Sequence, residues 1–403
     1  MRFSYCMLPD YPLEDAIDMI RTADELGFYA CYSVDETWHK DPYIVFAAAA
    51  DKTERIRFGP NVTHVFLREP TLICQQMATL DELTGGRVEL LVSTGNFGLL
   101  AQYGIDWANQ KPLSRLKEAI HVMRTFFEDG AITFEGDFFR YNGLYTFARP
   151  VQERIPIKMG AMKGPRSFQA AGELTDGVHH ALSYSREAYD YMSENVRVGA
   201  ERAGRDWQEL DLGAWVVTVV SEDSAAAKHA ARILVAFYIS SMPAEQLARH
   251  GIDAGELAPV VEALGAGDIA KAVELFKPEY AERLSLAGTP EEVVEKIQAD
   301  PAGRGQPHDP RPLRRGARQA VLRRGGPGRA GHQRTAAPRR RARDAGVRAR
   351  RALAVRVAAG SGIGVRVVTH RVDRRRGDDG LRGHPSAAHD AGAGDVLRGG
   401  TAA

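Results

Sequence analysis

Seven times between Phe3 and Ile297, a short apolar run gives way to a stretch whose apolar residues recur at helical spacing. The runs are Phe3 to Leu8, Tyr29 to Val34, Ile56 to Thr63, Val88 to Ser93, Ile155 to Met159, Val178 to Leu182 and Leu212 to Val220. Such alternation restricts the chain to a parallel sheet covered by helices, because parallel neighbours need a long crossover between them. The first helix illustrates the rule. Leu13, Ile17, Ile20 and Ala23 share one face, and Gly27 suits its C-terminal cap. Further helices are expected over 42–51, 69–83, 113–127, 166–172, 186–203 and 224–239. Thr133 to Phe147 is aromatic and alternating, which predicts a hairpin within an insertion at about 131–150. A second, helical insertion covers about 242–283. Thr289-Pro290-Glu291-Glu292 is a strong helix start, with Thr as cap, Pro at the first position and Glu three residues on.

A closed (β/α)8 TIM barrel needs eight such units. An open doubly wound sheet is disfavoured because no G-x-G-x-x-G follows the first strand. The expected fold is therefore an α/β TIM barrel over 1–300 whose eighth strand belongs just after Gln298.

The composition breaks at that point. Residues 301–403 hold 24 Arg, seven Asp, no Lys and no Glu, a charge of +17 inside a chain of net charge +1. They also lack Phe, Tyr, Trp, Met, Cys and Asn. A segment without aromatics cannot bury enough surface to offset its ordering entropy, so disorder is expected. An Arg-rich arm for RNA or acidic partners is one reading. The favoured one is a shifted reading frame in a GC-rich gene, with nucleic-acid binding not expected. Moved by one nucleotide, the codons from Gly305 onward permit V-N-H-M-I-L, an apolar strand where the eighth is missing.

No stretch of about 18 apolar residues occurs, which argues against a membrane span. Cys6, Cys31 and Cys74 lie far apart, without metal-ligand or disulfide-scaffold spacing. A cytoplasmic protein is expected.

In a TIM barrel the chemistry sits on loops after the strands. The loop after strand two packs Asp35, Glu36, Trp38 and His39 together. Asp35, Glu36 and His39 are the acid/base candidates, and two adjacent carboxylates favour a general acid. Trp38 is a candidate for the substrate pocket, with His180 at the end of strand six and Tyr184 beyond it. His179 and His180 have no third ligand at metal spacing, so no metal is assigned. Thr94, Gly95 and Asn96 follow strand four, where glycine lets a backbone approach a ligand closely. Gly160, Ala161, Met162, Lys163, Gly164, Pro165 and Arg166 lead from strand five into a helix. Backbone N–H groups at that helix start, with Lys163 and Arg166, suit a phosphate. Together these loops point to a phosphate-bearing cofactor.

Several strings resemble the bacterial-luciferase-like oxidoreductases: A-T-L-D-E-L-T-G-G-R (78–87), V-S-T-G-N-F-G (92–98), A-A-G-E-L-T-D-G-V (170–178) and A-G-T-P-E-E-V (287–293). The resemblance runs in order through nearly all of 1–298. It is strongest to the branch with methylenetetrahydromethanopterin reductase and the deazaflavin-dependent glucose-6-phosphate dehydrogenases. It implies a cofactor in the barrel mouth: coenzyme F420, a deazaflavin, with FMN as the alternative. It implies a non-prolyl cis peptide at Asn61-Val62 behind the ring, and the cofactor phosphate on Gly160 to Arg166. The activity implied is hydride transfer between F420 and a small organic substrate. The alternatives are an FMN-dependent monooxygenase using O2 and a non-catalytic cofactor-binding barrel. Two positions depart from the family pattern. Glu36 stands where His is usual, and Asn96 stands where an acid is usual. A homodimer is expected, through the helices at 42–52 and 69–83.

Overall fold

The computed structural model describes residues 2–161, 164–181, 185–240, 242–299 and, for the backbone alone, 365–370. All belong to one compact unit, Met1–Val372; the other unit, Asp373–Ala403, lies outside the described residues.

Strand β1 (Arg2–Met7) leads to the helix Leu13–Leu26, closed by Gly27 in the left-handed conformation at φ 82°. Strands β2 (Ala30–Ser33), β3 (Arg57–Pro60) and β4 (Thr63–His64) follow, separated by the helix Pro42–Ala49. β3 and β4 are two pieces of one barrel strand, interrupted at the cis peptide Asn61-Val62. After the helix Pro70–Thr84 comes β5 (Leu90–Ser93). The helix Pro112–Asp129 then leads to the inserted hairpin, β6 (Ala131–Glu135) and β7 (Arg140–Tyr145), which pair antiparallel as expected. Strands β8 (Ile157–Ala161), β9 (Gly177–Ala181) and β10 (Asp211–Val220) alternate with the helices Pro165–Leu174 and Arg186–Arg202. The helix Ser224–Ile239 follows β10, and four short helices between Ala244 and Leu284 form the second insertion.

The strands close on themselves. β3, β2 and β1 pair in parallel on one side, and β4, β5, β8, β9 and β10 on the other. Phe58 and Val88 bridge β3 to the start of β5's run and complete the ring there. The expected parallel eighth strand is not among the described residues. Its place is taken by β12 (Val365–His370), from the Arg-rich segment, which runs antiparallel to both β1 and β10. One further strand escapes the sequence pattern: β11 (Ser285–Gly288) pairs in parallel with the upper end of β10. It leads into the helix Pro290–Gln298, whose Thr289–Glu292 capping box forms as expected.

Side chains alternate across the barrel wall. Tyr5, Cys31, Val92, Met159 and Val178 face outward into the core shared with the helices. Cys6, Tyr32 and Leu91 face inward. No helix among the described residues is long and apolar enough to cross a membrane.

Candidate functional site

The lower half of the barrel is closed by an ion network. Lys158, buried on β8, pairs with Asp211 at 2.6 Å and with Glu89. Arg57 Nε reaches Glu89 at 3.1 Å, and Arg2 reaches Asp211 at 2.9 Å. Tyr32 donates to Glu89 at 2.8 Å. Burial opposes the Lys158 charge, but Glu89 and Asp211 outweigh it and push its ammonium pKa above the usual range. This network occupies the barrel interior at the N-terminal ends of the strands, so the C-terminal end is the side to search for a ligand.

The inward layer at that end follows from register, since partners in a parallel ladder share a face. His64 on β4 lies opposite Ser93 on β5. Gly160 on β8 lies opposite His179 on β9. Cys6 lies opposite Tyr32. A Cβ added to Gly160 would sit 2.4 Å from Val62 Cγ1, so Val62 fills the space that a side chain there would need. Asn61 Nδ2 points to Cys6 Sγ at 3.9 Å. His64 is only 5% exposed, and its Nδ1 is buried with no partner among the described residues.

The loop after β2 divides its candidates. Asp35 is buried and accepts from Arg68 Nε at 2.8 Å, Arg68 Nη2 at 3.0 Å and Thr63 Oγ1 at 2.5 Å. The same arginine reaches Asp41, which caps the helix Pro42–Ala49. Both Asp35 oxygens are thus spent on holding the loop. His39 turns toward the loop after β1, with Nδ1 2.7 Å from Asp10. Glu36 is half-buried and faces Asn96, whose amide donates to Glu36 Oε1 at 2.9 Å. Asn96 also caps the short helix Phe97–Gln102, accepting from Gly98 N and Leu99 N. A carboxylate at 96 could serve as the cap but could not donate to Glu36, and would set two like charges together. The two departures from the family pattern therefore belong to one contact.

Two more bonds tie these loops. Trp38 Nε1, on a side chain 46% exposed at the rim, donates to Gln102 at 3.0 Å. Tyr103 donates to Thr37 at 3.1 Å. Gln102 carried no signal in the sequence, because a helix of six residues is too short to show periodicity. Thr94 contributes its carbonyl oxygen to Trp107 Nε1 at 2.6 Å. Gly95 has φ 86°, and a Cβ there would meet Leu100 at 2.9 Å and His64 at 3.5 Å.

On β8, Ala161 turns into the outer core, leaving its backbone at the rim. Gly164 and Pro165 open the helix Pro165–Leu174, whose start has no side-chain cap, and Arg166 in its first turn is exposed. Met162, Lys163 and Tyr184 lie outside the described residues. One expectation is corrected. His180 does not line the pocket, because strand alternation turns it outward, where its ring meets Phe168 at 4.9 Å between centroids. Its neighbour His179 faces inward, edge-on to Tyr32 at 5.2 Å.

These features fit a flat, phosphate-bearing ring cofactor: Val62 seated on Gly160, an orphaned imidazole nitrogen, and an uncapped helix start. Two clefts of about 520 Å³ lie elsewhere, beside the helix Pro290–Gln298. One is lined by Lys228, Arg232 and Glu292, the other by Ser185, Arg249 and His250. Neither includes a residue of the barrel mouth.

Comparison with known proteins agrees with this architecture. The chain is 31% identical over 301 residues to a 5,10-methylenetetrahydromethanopterin reductase of Archaeoglobus fulgidus, covering 74% of this chain and 89% of that protein. It is 29% identical to an F420-dependent glucose-6-phosphate dehydrogenase of Intrasporangium calvum, covering 70% and 84%. The structure of the coenzyme F420 dependent tetrahydromethanopterin reductase of Methanopyrus kandleri superposes with a TM-score of 0.69 at 29% identity, covering 74% of this chain and 89% of that one. The family model described as luciferase-like monooxygenase matches residues 1–305. The chain belongs to the luciferase-like monooxygenase family and is an oxidoreductase.

Proposed function

We propose that this protein is an F420-dependent oxidoreductase that transfers hydride between the deazaflavin and a small organic substrate in the barrel mouth. The observation that carries this reading is the set of loops at the mouth, where Val62 lies on Gly160 and Asn96 donates to Glu36. Its relatives that are named for F420 support the choice of cofactor over FMN.

The bound cofactor supplies hydride chemistry at the central ring. Val62, Gly160 and the backbone of Thr94 and Gly95 would bound the ring. The helix start at Gly164 to Arg166, with Ala161, Met162 and Lys163 leading into it, would hold the phosphate. Glu36 is the proton partner of the substrate, steadied by Asn96. Asp35 positions the loop through Arg68. His39 anchors the same loop to Asp10. Trp38 borders the substrate side. The catalytic unit is residues 1–300, with the insertions shaping the substrate space. The exposed apolar residues Ile44 and Leu72 lie on the two helices that mediate a homodimer.

Two assays test this reading. With oxidised F420 and a panel of alcohols, and with reduced F420 and a panel of carbonyls and conjugated alkenes, cofactor absorbance should change with at least one substrate. Glu36→Gln should slow that change roughly 10²–10³-fold while cofactor binding stays within threefold. Oxygen uptake with reduced FMN, and no absorbance change with F420 on any substrate, would overturn it in favour of a monooxygenase.

A further inference from the structure

We propose that His64 holds the polar edge of the cofactor's ring, its Nδ1–H donating to a ring carbonyl oxygen. The proposal rests on the reading that F420 binds in the barrel mouth, and it adds a contact to those given above. His64 follows the Asn61-Val62 peptide by two residues, on the short strand β4. Its register partner is Ser93, and Thr63 beside it is opposite the outward Val92, so the imidazole faces the barrel interior. The ring is 5% exposed, yet Nδ1 has no partner among the described residues. A buried nitrogen in that state is a standing cost unless something completes the bond.

The neighbourhood leaves room for such a partner. Gly95 packs against the His64 side chain, and its missing Cβ keeps the space beside the ring open. The charged groups acting on the imidazole are Asp35 and Arg68. Burial lowers its pKa first, Asp35 raises it, and Arg68 lowers it again, with a net downward shift. His64 therefore stays neutral at neutral pH and has one N–H to give and one nitrogen to accept. A pyrimidine-like ring edge, with its carbonyl oxygens, matches a single neutral donor.

The test is a fluorescence titration of the full-length protein with F420, using wild type, His64→Leu, His64→Gln and His64→Ala. Loss of the bond should raise Kd about tenfold or more for His64→Leu and shift the absorbance maximum of the bound cofactor. His64→Gln keeps a donor and should stay within threefold of wild type. His64→Ala removes the imidazole without adding bulk and decides the matter if the leucine variant does not fold. Tight wild-type binding with every variant within twofold would overturn this proposal alone. Absence of F420 binding by the wild type would overturn the proposed function, and this contact with it.

Discussion

Gly160 has no side chain because Val62 occupies the place where one would go. Gly160→Ala forces that β-branched neighbour to move, and valine has few rotamers to move into. The expected outcome is a loss of F420 affinity of about tenfold, with a melting temperature lowered by only a few degrees; unchanged affinity would show that the contact does not shape the seat. At this scale the sequence was partly legible. Glu36 and Asn96 stood out as departures from a family pattern, but sixty positions apart nothing revealed that they meet. Asp35 read as an acid because the arginine that neutralises it, Arg68, lies on another loop. Alternation gives His179 and His180 opposite parities, and only the pairing with β8 and β10 chooses which of them faces inward.

The barrel strands and their helices were legible because burial imposes strong periodicity on each. Leu13–Leu26, Arg186–Arg202 and the Thr289 capping box fall where spacing and cap residues place them. Phe97–Gln102 and Ser285–Gly288 were not, since six and four residues are too few to display a period. The helical insertion also carries a pH response. His250 is buried, with Nδ1 3.2 Å from Ser185 Oγ, and burial holds its pKa down to about 4. In the unfolded chain it titrates near 6.5, so the fold binds this proton less tightly than the unfolded state does. Its contribution is complete above about pH 6.5 and falls by about 3 kcal/mol as pH drops toward 4. Melting temperature should decline over that window, and His250→Leu should flatten the slope. An equal slope in the variant would assign the response to other groups.

At the scale of the molecule, seven β/α units leave a gap that β12 fills from the Arg-rich segment. An unfilled gap exposes the hydrogen-bonding edges of β1 and β10. A chain ending at 299 should therefore aggregate more readily than the full chain, as read by light scattering; equal monodispersity would mean that the gap is tolerated. The tail's composition made the missing strand legible, but no pattern in it marked Val365–His370 as the segment that pairs. Sedimentation of the full chain should give a dimer, and Ile44→Glu with Leu72→Glu a monomer; a monomeric wild type would remove the dimer from the account. The claim on which the rest depends is that the mouth of this barrel is built for a deazaflavin. Parallel titrations of the purified protein with F420 and with FMN, followed by fluorescence quenching, test it most directly. The account predicts saturable binding of F420 at micromolar concentration and FMN weaker by tenfold or more. Micromolar FMN binding with no response to F420 would contradict it.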